Sequence, residues 1–310
     1  MISATLPPHF WEEIIRTPRD SPTFTAYIFC PLAFAPPKAV SLLETMLYTN
    51  PKAPYKSFAG DIWRSSQRRL VEYAKFLSTG ESQRIFEGYK QLRDKCTEGK
   101  AIIVCNGPSL NDSNSEIYCK YPLIGLNLGA LMNTCTSANY ICNILADNLV
   151  ILQNKSKVDQ LKGMTFGHFS LKKELTSQPA RYFYGAAPDF LPYSSPSSLV
   201  PSFGNSTSIA AQILFYSGVS KVAVIGLDHD YGDIRPLSLL PADKLSTKYA
   251  DKGNSPSGQT VQAPDLMRVA YNLRNLQYLY SDHGRLLVNC STKTRLDALP
   301  RISLEEFDAL

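Results

Sequence analysis

The chain has 310 residues, of which 44% are hydrophobic and 19% charged. This composition is typical of a globular protein with one large domain, or with a main domain and a smaller appendage. The net charge of +5 is spread along the chain without a run of five basic residues, so we expect no nucleic-acid partner. A diffuse positive charge fits an anionic substrate or contact with an acidic membrane surface instead.

Two features of the sequence bear on location. The amino terminus lacks the basic and apolar regions of a signal peptide, and the most apolar stretch, residues 26–43, is interrupted by three prolines and a lysine, which does not suit a membrane span. The seven cysteines form no Cys-x-x-Cys pair and no metal-ligand spacing. We therefore predict a reducing, cytoplasmic compartment, and leave open peripheral contact with the inner face of the membrane and homo-oligomer formation.

The first 99 residues are helical in pattern. Apolar residues recur at three- and four-residue spacing over 41–48, 61–77 and 81–96, among charged residues and prolines. This periodicity is typical of amphipathic helices. The pattern predicts an amino-terminal helical subdomain over residues 1–99.

From residue 100 the pattern changes to short apolar runs separated by polar segments. The spacing predicts a helix over 206–217, ended by Gly218, and a fully buried strand over 221–226. Further strands are predicted over 101–104, 123–126, 140–145, 163–169 and 181–184. The alternation of strands and helices indicates an α/β fold, with a Rossmann-like, doubly wound and mostly parallel sheet over residues 100–310.

The last third of the chain opens with a long polar stretch, residues 228–264, that shows little regular pattern. Irregular segments of this length inside compact domains are commonly lids or binding loops. We therefore predict a lid over residues 233–264. A helix over 265–281, a strand over 285–289 and a short helix over 304–310 are predicted to follow.

Residues 101–111 combine a buried strand with an abrupt polar turn. The apolar run ends at Asn106-Gly107-Pro108-Ser109, which leaves backbone N–H groups and small side chains at the carboxyl end of the strand. Ligands bind at that edge in open α/β sheets, and converging N–H groups suit phosphate. The pattern is compatible with a nucleotide site and with an ordinary turn.

Two further segments stand where a strand ends or a helix begins. Asn127 follows the predicted strand 123–126, and Gly204-Asn205-Ser206-Thr207-Ser208 opens the helix that leads into the strand 221–226. The amino terminus of a helix offers N–H groups and the positive end of the helix dipole to an anion. Hydroxyl residues at this position also serve as plain helix caps, and both interpretations apply to residues 206–208.

The sequence Asp228-His229-Asp230 follows the strand 221–226. Between two aspartates, His229 is a candidate general base with a raised pKa, and the aspartates are candidates for contacts with a ribose or acceptor hydroxyl. The Asp-x-Asp spacing also suits a divalent cation, while a turn cap with a surface histidine would account for the same residues. No Walker loop, full dinucleotide fingerprint or nucleophile elbow occurs, which argues against a conventional kinase or dehydrogenase.

Taken together, these segments resemble one group of proteins. Residues 103–110 are similar to the strand and turn of bacterial CMP-sialic acid sialyltransferases, which also occur in the wider MptE-like (6-hydroxymethylpterin diphosphokinase-like) superfamily. Asn127, residues 204–218 and residues 222–228 resemble the second asparagine, the Thr/Ser-Gly helix and the Gly-x-Asp strand of that superfamily. The tail over 263–302 resembles the end of the MptE-like group. The resemblance covers residues 100–303.

The resemblance implies a Rossmann-like enzyme in which turn residues hold CMP, tyrosines bind the phosphate and a histidine of the lid is the base, without a metal. The nucleotide-binding residues that the resemblance implies are those of the matching turns, their immediate neighbours and the nearest tyrosine of the lid. They are Asn106, Gly107, Pro108, Ser109, Asn127, Gly204, Asn205, Ser206, Thr207 and Tyr249. Residues 238–264 contain no histidine. His229, with Asp228 and Asp230 beside it, is therefore the predicted catalytic group.

The resulting expectation is a glycosyltransferase without a cofactor. It would move an acidic sugar, sialic acid-like or Kdo-like, from a CMP-sugar donor to a glycan or lipid-linked acceptor in surface polysaccharide synthesis. One alternative is pyrophosphoryl transfer to a pterin-like acceptor, with Mg²⁺ held by Asp228 and Asp230. The other is a non-catalytic nucleotide-binding scaffold, which the missing lid histidine favours.

Overall fold

The computed structural model describes residues 75–76, 78–96, 98–131, 138–175, 180–184, 205–250 and 258–310. The predicted helix 41–48, nearly all of the predicted helix 61–77, and Gly204 lie outside the described residues. The chain divides into two compact units, Met1–Ser82 and Gln83–Leu310. The sheet belongs to the second unit, and the amino-terminal helical subdomain over 1–99 stays a prediction.

Seven strands form one sheet in the spatial order β5-β4-β3-β2-β1-β6-β9. The seven strands are β1 (Lys100–Val104), β2 (Leu123–Leu126), β3 (Tyr140–Leu145), β4 (Met164–His168), β5 (Arg181–Phe183), β6 (Lys221–Ile225) and β9 (Leu286–Asn289). Every neighbouring pair is parallel. The predicted α/β architecture with a mostly parallel, Rossmann-like sheet is therefore confirmed.

Helices cover both faces of this sheet. Three of them pack on one face together with the sheet residues Ile103 and Val224, and four pack on the other face. The first three are α1 (Glu81–Lys95), α5 (Thr207–Tyr216) and α6 (Leu266–Asp282). The other four are α2 (Ser115–Tyr118), α3 (Asn148–Gln153), α4 (Lys155–Val158) and α7 (Leu304–Ala309). The sheet is thus buried on two sides, as in other parallel sheets.

The burial of the central strands and of α5 explains why the sequence pattern predicts these elements. Along β1, Ala101 and Ile103 face one cluster while Ile102 and Val104 face the other, and all four side chains are fully buried. A strand covered on both faces needs a continuous apolar run rather than an alternating one. In the same way, α5 is apolar on nearly all sides because every residue from Thr207 to Phe215 is buried.

The connection order places a topological switch point between β1 and β6. The chain moves outward from β1 through β2, β3, β4 and β5, then returns to lay β6 against the free side of β1 and continues to β9. The crossovers that follow β1 and β6 therefore run toward opposite edges of the sheet. The carboxyl edge of the sheet at such a point is the usual position of the ligand crevice in doubly wound sheets.

The turns after β1 and β6 touch each other closely. The N–H of Cys105 donates to the carbonyl of Ile225 at 2.9 Å, and the N–H of Gly107 donates to the carbonyl of Gly226 at 2.8 Å. Gly226 has a φ of +67°, and a Cβ there would lie 2.6 Å from the carbonyl oxygen of Cys105. Only glycine tolerates both the positive φ and the close approach of the carbonyl oxygen, so this contact requires glycine at position 226.

The predicted irregular stretch 228–264 is partly regular. It contains an antiparallel hairpin of β7 (Leu239–Pro241) and β8 (Thr260–Gln262), joined in part by a 3₁₀ helix over Ala242–Lys248. Ala242, Leu245 and Val261 form a small buried cluster within it. We call residues 233–250 and 258–264 the β7–β8 segment. The expectation of an irregular chain was wrong here because strands of three residues carry no readable periodicity.

The cysteines and the helices bear on the predicted location. Cys96, Cys105, Cys142 and Cys290 are free and buried, as expected for core thiols. Cys119, however, is disulfide-bonded, so the cysteines no longer support the prediction of a reducing compartment. In the described part of the chain, no helix combines the length and the apolar character needed to cross a bilayer.

The contact between the two turns predicts a specific loss of stability. Replacing Gly226 by Ala adds left-handed strain and a clash with the Cys105 carbonyl. The control Gly284→Ala has nearly the same φ, +65°, and no atom within 4 Å of the new Cβ. We expect the control to lower the free energy of unfolding by about 1 kcal/mol, and Gly226→Ala to lower it by at least about 2 kcal/mol more. Urea denaturation measures both, and equal losses would contradict the close approach.

Candidate functional site

One cavity lies at the carboxyl ends of β1, β2, β3 and β6, beside the β7–β8 segment. Most of the predicted site residues line it, and these are Asn106, Gly107, Asn127, Asn205, Ser206, Thr207, Asp228, His229, Asp230 and Tyr249. Pro108 and Ser109 are not part of its wall, and Gly204 lies outside the described residues. Residues that are up to 143 positions apart in the chain thus meet at the switch point.

The turn after β1 presents Asn106 to the cavity. Its carbonyl accepts a hydrogen bond from the N–H of Ala250 at 2.7 Å, which ties the turn to the β7–β8 segment. Its side-chain Oδ1 is buried and has no hydrogen-bond partner among the described residues. A Cβ on Gly129 would lie 2.8 Å from that oxygen. The Asn106 amide therefore keeps an unmet hydrogen-bonding capacity within a cavity wall.

Asn127 joins three elements around the cavity. It has a φ of +51°, which asparagine tolerates better than most residues. Its Oδ1 accepts hydrogen bonds from the N–H groups of Ala146 and Asp147, both at 3.1 Å, and its Nδ2 donates to Ser206 Oγ at 3.2 Å. Asn127 therefore ties the end of β2 to the end of β3 and to the start of α5.

The amino terminus of α5 points its first residues at the cavity. Ser206, the N-cap, makes no side-chain capping bond; instead Asn205 Oδ1 accepts from the N–H of Thr207 at 2.8 Å. Thr207 Oγ1 lies 3.1 Å from Cys105 Sγ. The predicted capping role thus falls to Asn205, while the buried hydroxyl of Ser206 and the positive end of a ten-residue helix remain at the cavity.

Asp228 is engaged by the turn after β1. Its carboxylate accepts hydrogen bonds from the N–H of Ser109, at 2.8 Å, and from the Ser109 hydroxyl. The N–H of the preceding residue, Leu227, donates to Ser291 Oγ at 2.8 Å, and the Leu227 carbonyl accepts a hydrogen bond from Thr294 Oγ1 at 2.7 Å. Ser109 therefore donates both its N–H and its hydroxyl to Asp228, and Asp228 stabilises the pairing of the two turns.

His229 is not held between two aspartates, so the predicted raised pKa is wrong. The residue has a φ of +56°, and its Nε2 is buried without a hydrogen-bond partner among the described residues. Burial lowers the pKa of His229 below its usual 6.5, and the negative charge of Asp297 only opposes this shift. The expected carboxylate neighbours are turned elsewhere, Asp228 to Ser109 and Asp230 to two cations.

Asp230 bridges the loop after β6 to the β7–β8 segment. Its carboxylate lies 3.5 Å from Lys248 Nζ and 3.3 Å from Arg295 Nη1. Among the described residues, no group of three or more His, Cys, Asp or Glu side chains is arranged to hold a metal ion. The aspartates of the Asp-x-Asp sequence thus have different partners and do not form a common pair.

No family model, curated protein or solved structure matches the chain. The resemblance to sialyltransferases and to the MptE-like superfamily therefore stays a prediction.

The β7–β8 segment is attached to the carboxyl end of α3 through two side-chain amides. Gln153 exchanges two hydrogen bonds of 2.8 Å with the backbone of Thr260, and Asn154 exchanges two side-chain bonds of 3.0 and 2.9 Å with Gln259. Tyr249, on the same segment, lines the cavity, and its pKa is raised by burial and then by the charge of Asp147. The segment therefore contributes to the wall of the cavity, while its role as a lid stays a prediction.

Three further residues of the wall escaped prediction from the sequence: Asp147, Tyr231 and Lys248. Asp147 stands two residues after β3, which is the same signal that identified Asn106 and Asn127, so it could have been found. Tyr231 follows the Asp-His-Asp sequence, and burial raises its pKa well above the usual value. Lys248 ends a 3₁₀ helix that has no distinctive pattern, and no sequence signal marks it.

The lowered pKa of His229 predicts a pH dependence of stability. Below the ordinary histidine pKa the unfolded chain binds a proton that the folded protein resists, so folding loses stability as pH falls below 6.5. We expect His229→Asn, which tolerates the positive φ, to lose less stability than wild type between about pH 7 and pH 5. Chemical denaturation at several pH values measures the difference. His283→Asn, which keeps His229, should follow wild type, and a His229→Asn curve parallel to wild type would contradict the assignment.

Proposed function

We propose that the cavity binds the nucleotide of a CMP-activated acidic sugar and that the chain is a glycosyltransferase acting on a glycan or lipid-linked acceptor. The observation that carries the proposal is the meeting, at the β1/β6 switch point, of the Asn106-Gly107 turn with the amino terminus of α5. The positive end of the α5 dipole, at a switch point, suits a nucleotide phosphate. The choice of CMP and of an acidic sugar comes from the resemblance of residues 103–110 and 204–228.

The charges of the wall restrict where the phosphate lies. Asp147, Asp228 and Asp230 all line the cavity and would repel it, but Asp230 is paired with Lys248 and Arg295, and the carboxylate of Asp228 is hydrogen-bonded to Ser109. Lys248 is the sole Lys or Arg among the described residues of the wall. The phosphate therefore belongs near the start of α5 and Lys248, away from Asp147.

In this proposal His229 takes the proton of the acceptor hydroxyl. Because its pKa is lowered, the imidazole is neutral at pH 7, and its buried Nε2 has no partner among the described residues. A neutral imidazole with an unoccupied nitrogen is what a general base requires. The N–H groups of the α5 terminus and Lys248 would stabilise the charge on the leaving phosphate. The β7–β8 segment would keep water from the activated donor.

The placement of the carboxylates supports chemistry without a metal. Magnesium bound by Asp228 and Asp230 would have to displace Ser109 from one carboxylate and two cations from the other. One observation favours a second candidate, a nucleotide-binding scaffold without catalysis. Among the described residues, no carboxylate is hydrogen-bonded to the buried His229 Nε2, whereas a general base is normally oriented by such a partner.

Ligand-induced stabilisation tests the proposed nucleotide. CMP in the presence of EDTA should raise the unfolding temperature, and a concentration 100-fold above Kd adds about 2.7 kcal/mol of stability. Thermal unfolding with CMP, ATP and GTP, each with EDTA or with Mg²⁺, makes the measurement. A response to ATP that requires Mg²⁺, with none to CMP, would overturn the proposal in favour of pyrophosphoryl transfer.

Turnover then separates the enzyme from the scaffold. Incubation with a CMP-sugar donor and an acceptor glycan should release CMP as the sugar is transferred, and His229→Asn should slow the release at least about 100-fold while CMP still binds. Binding of CMP with no release of CMP from any acidic-sugar donor would identify the scaffold. Equal rates for wild type and His229→Asn would remove His229 from the mechanism.

A substitution at Lys248 tests the position of the phosphate. Lys248→Met keeps the aliphatic stem but removes the charge, so CMP should bind about tenfold more weakly, a loss of about 1.4 kcal/mol. Cytidine, which has no phosphate, should bind with unchanged affinity. Lys244→Met, an exposed residue of the same 3₁₀ helix outside the wall, is the control. Equal losses for CMP and cytidine would show that Lys248 acts through the packing of the β7–β8 segment instead.

A further inference from the structure

The wall at the end of β3 holds a carboxylate that the proposed mechanism does not use. Asp147 Oδ1 accepts hydrogen bonds from the N–H groups of Leu149, at 3.0 Å, and Val150, at 3.1 Å, and so caps α3. The N–H of Asp147 donates to Asn127 Oδ1 at 3.1 Å. Backbone and side chain are thus both held in place. No described residue donates to the second carboxylate oxygen, Oδ2, and Asp147 lines the cavity.

Asp147 lies on the far side of Asn127 from the phosphate region. Strands β1, β2 and β3 are consecutive in the sheet, and neighbouring strands are spaced by about 4.8 Å, so the ends of β1 and β3 are roughly 10 Å apart. Asn127, between them, is bonded to Asp147 on one side and to Ser206 on the other. A nucleoside that extends from a phosphate at the start of α5 along the strand ends toward β3 would reach Asp147.

The chemistry of Asp147 restricts what part of the nucleoside it meets. A carboxylate repels phosphate and gains from hydrogen-bond donors, above all in a partly dry cavity. Burial raises the pKa of Asp147 despite the two backbone N–H donors, so the free protein carries a cost of desolvation that a donating ligand relieves. The paired hydroxyls of a ribose are donors that a fixed carboxylate oxygen can accept from.

We propose that Asp147 accepts hydrogen bonds from the ribose hydroxyls of the bound nucleotide and thereby makes the site selective for ribonucleotides. The inference rests on the proposed function in one respect, that a nucleotide occupies this cavity. It goes further in naming a residue for which the sequence assigned no role, and in naming the sugar of the nucleotide as the group that is recognised. A hydrogen bond to a charged group contributes enough to discriminate about tenfold or more.

The experiment compares ribonucleotides with their 2′,3′-dideoxy counterparts by isothermal titration calorimetry. The probes are CMP, UMP, AMP and GMP, each with its dideoxy form. Wild type should bind its preferred ribonucleotide at least about tenfold more tightly than the dideoxy form. Asp147→Asn keeps an oxygen to cap α3 but replaces the accepting Oδ2 by a donating amide. It should reduce the ratio to near one, chiefly by weakening the ribonucleotide.

Two further variants keep the result interpretable. Asp265→Asn makes the same change at the N-cap of α6, where Asp265 accepts from the N–H of Arg268 at 3.2 Å outside the cavity wall, and it should retain the wild-type ratio. Asp147→Ser also caps a helix and should lose the discrimination as Asp147→Asn does. If Asp147→Asn does not fold, the ratio of Asp147→Ser decides the question.

The remaining outcomes separate the two proposals. If nucleotides bind but wild type shows a ratio near one, or if the ratio is unchanged in Asp147→Asn, the role of Asp147 is overturned while the nucleotide site stands. If neither the ribonucleotides nor the dideoxy forms bind wild type, both proposals are overturned.

Discussion

The pairing of the turns after β1 and β6 is the contact on which the site depends. Gly107 and Gly226 let the two backbones approach to hydrogen-bonding distance, and the carboxylate of Asp228 then receives both the N–H and the hydroxyl of Ser109. Because β1 and β6 stand at the point where the strand order reverses, this pairing shapes one side of the crevice. A side chain at Gly226 would separate the turns.

Around that pairing, the cavity wall is built from polar groups that are mostly used for structure. Asn127 connects β2, β3 and α5, Asn205 caps α5, and Asp230 is bound by Lys248 and Arg295. Buried polar groups are costly unless they are hydrogen-bonded, so the few atoms of the wall left without a partner are available to a ligand. Asn106 Oδ1 and His229 Nε2 are of this kind among the described residues.

The sequence predicted the positions of the site better than their chemistry. Strand ends could be located because apolar runs stop abruptly, and Asn106, Asn127 and Asp228 do meet at one edge. The direction in which a side chain turns there depends on partners distant in the chain. His229 was expected to have a raised pKa between two aspartates, but the structure turns both of them away, so burial decides the shift. Asp147 is a polar residue just after a buried strand, as Asn127 is, but the site predicted from the sequence does not include it.

By itself, the sequence determined the strands of the sheet, the helices α1, α5, α6 and α7, and the α/β class, because burial on two faces demands continuous apolar runs and amphipathic spacing. Only the tertiary structure decided the strand order, the β7–β8 hairpin and the partner of each polar group in the cavity. Ser109 and Asp228, 119 positions apart, illustrate the reason. Hydrogen-bond partners are chosen by proximity in space, and local periodicity carries no record of which strand ends lie side by side.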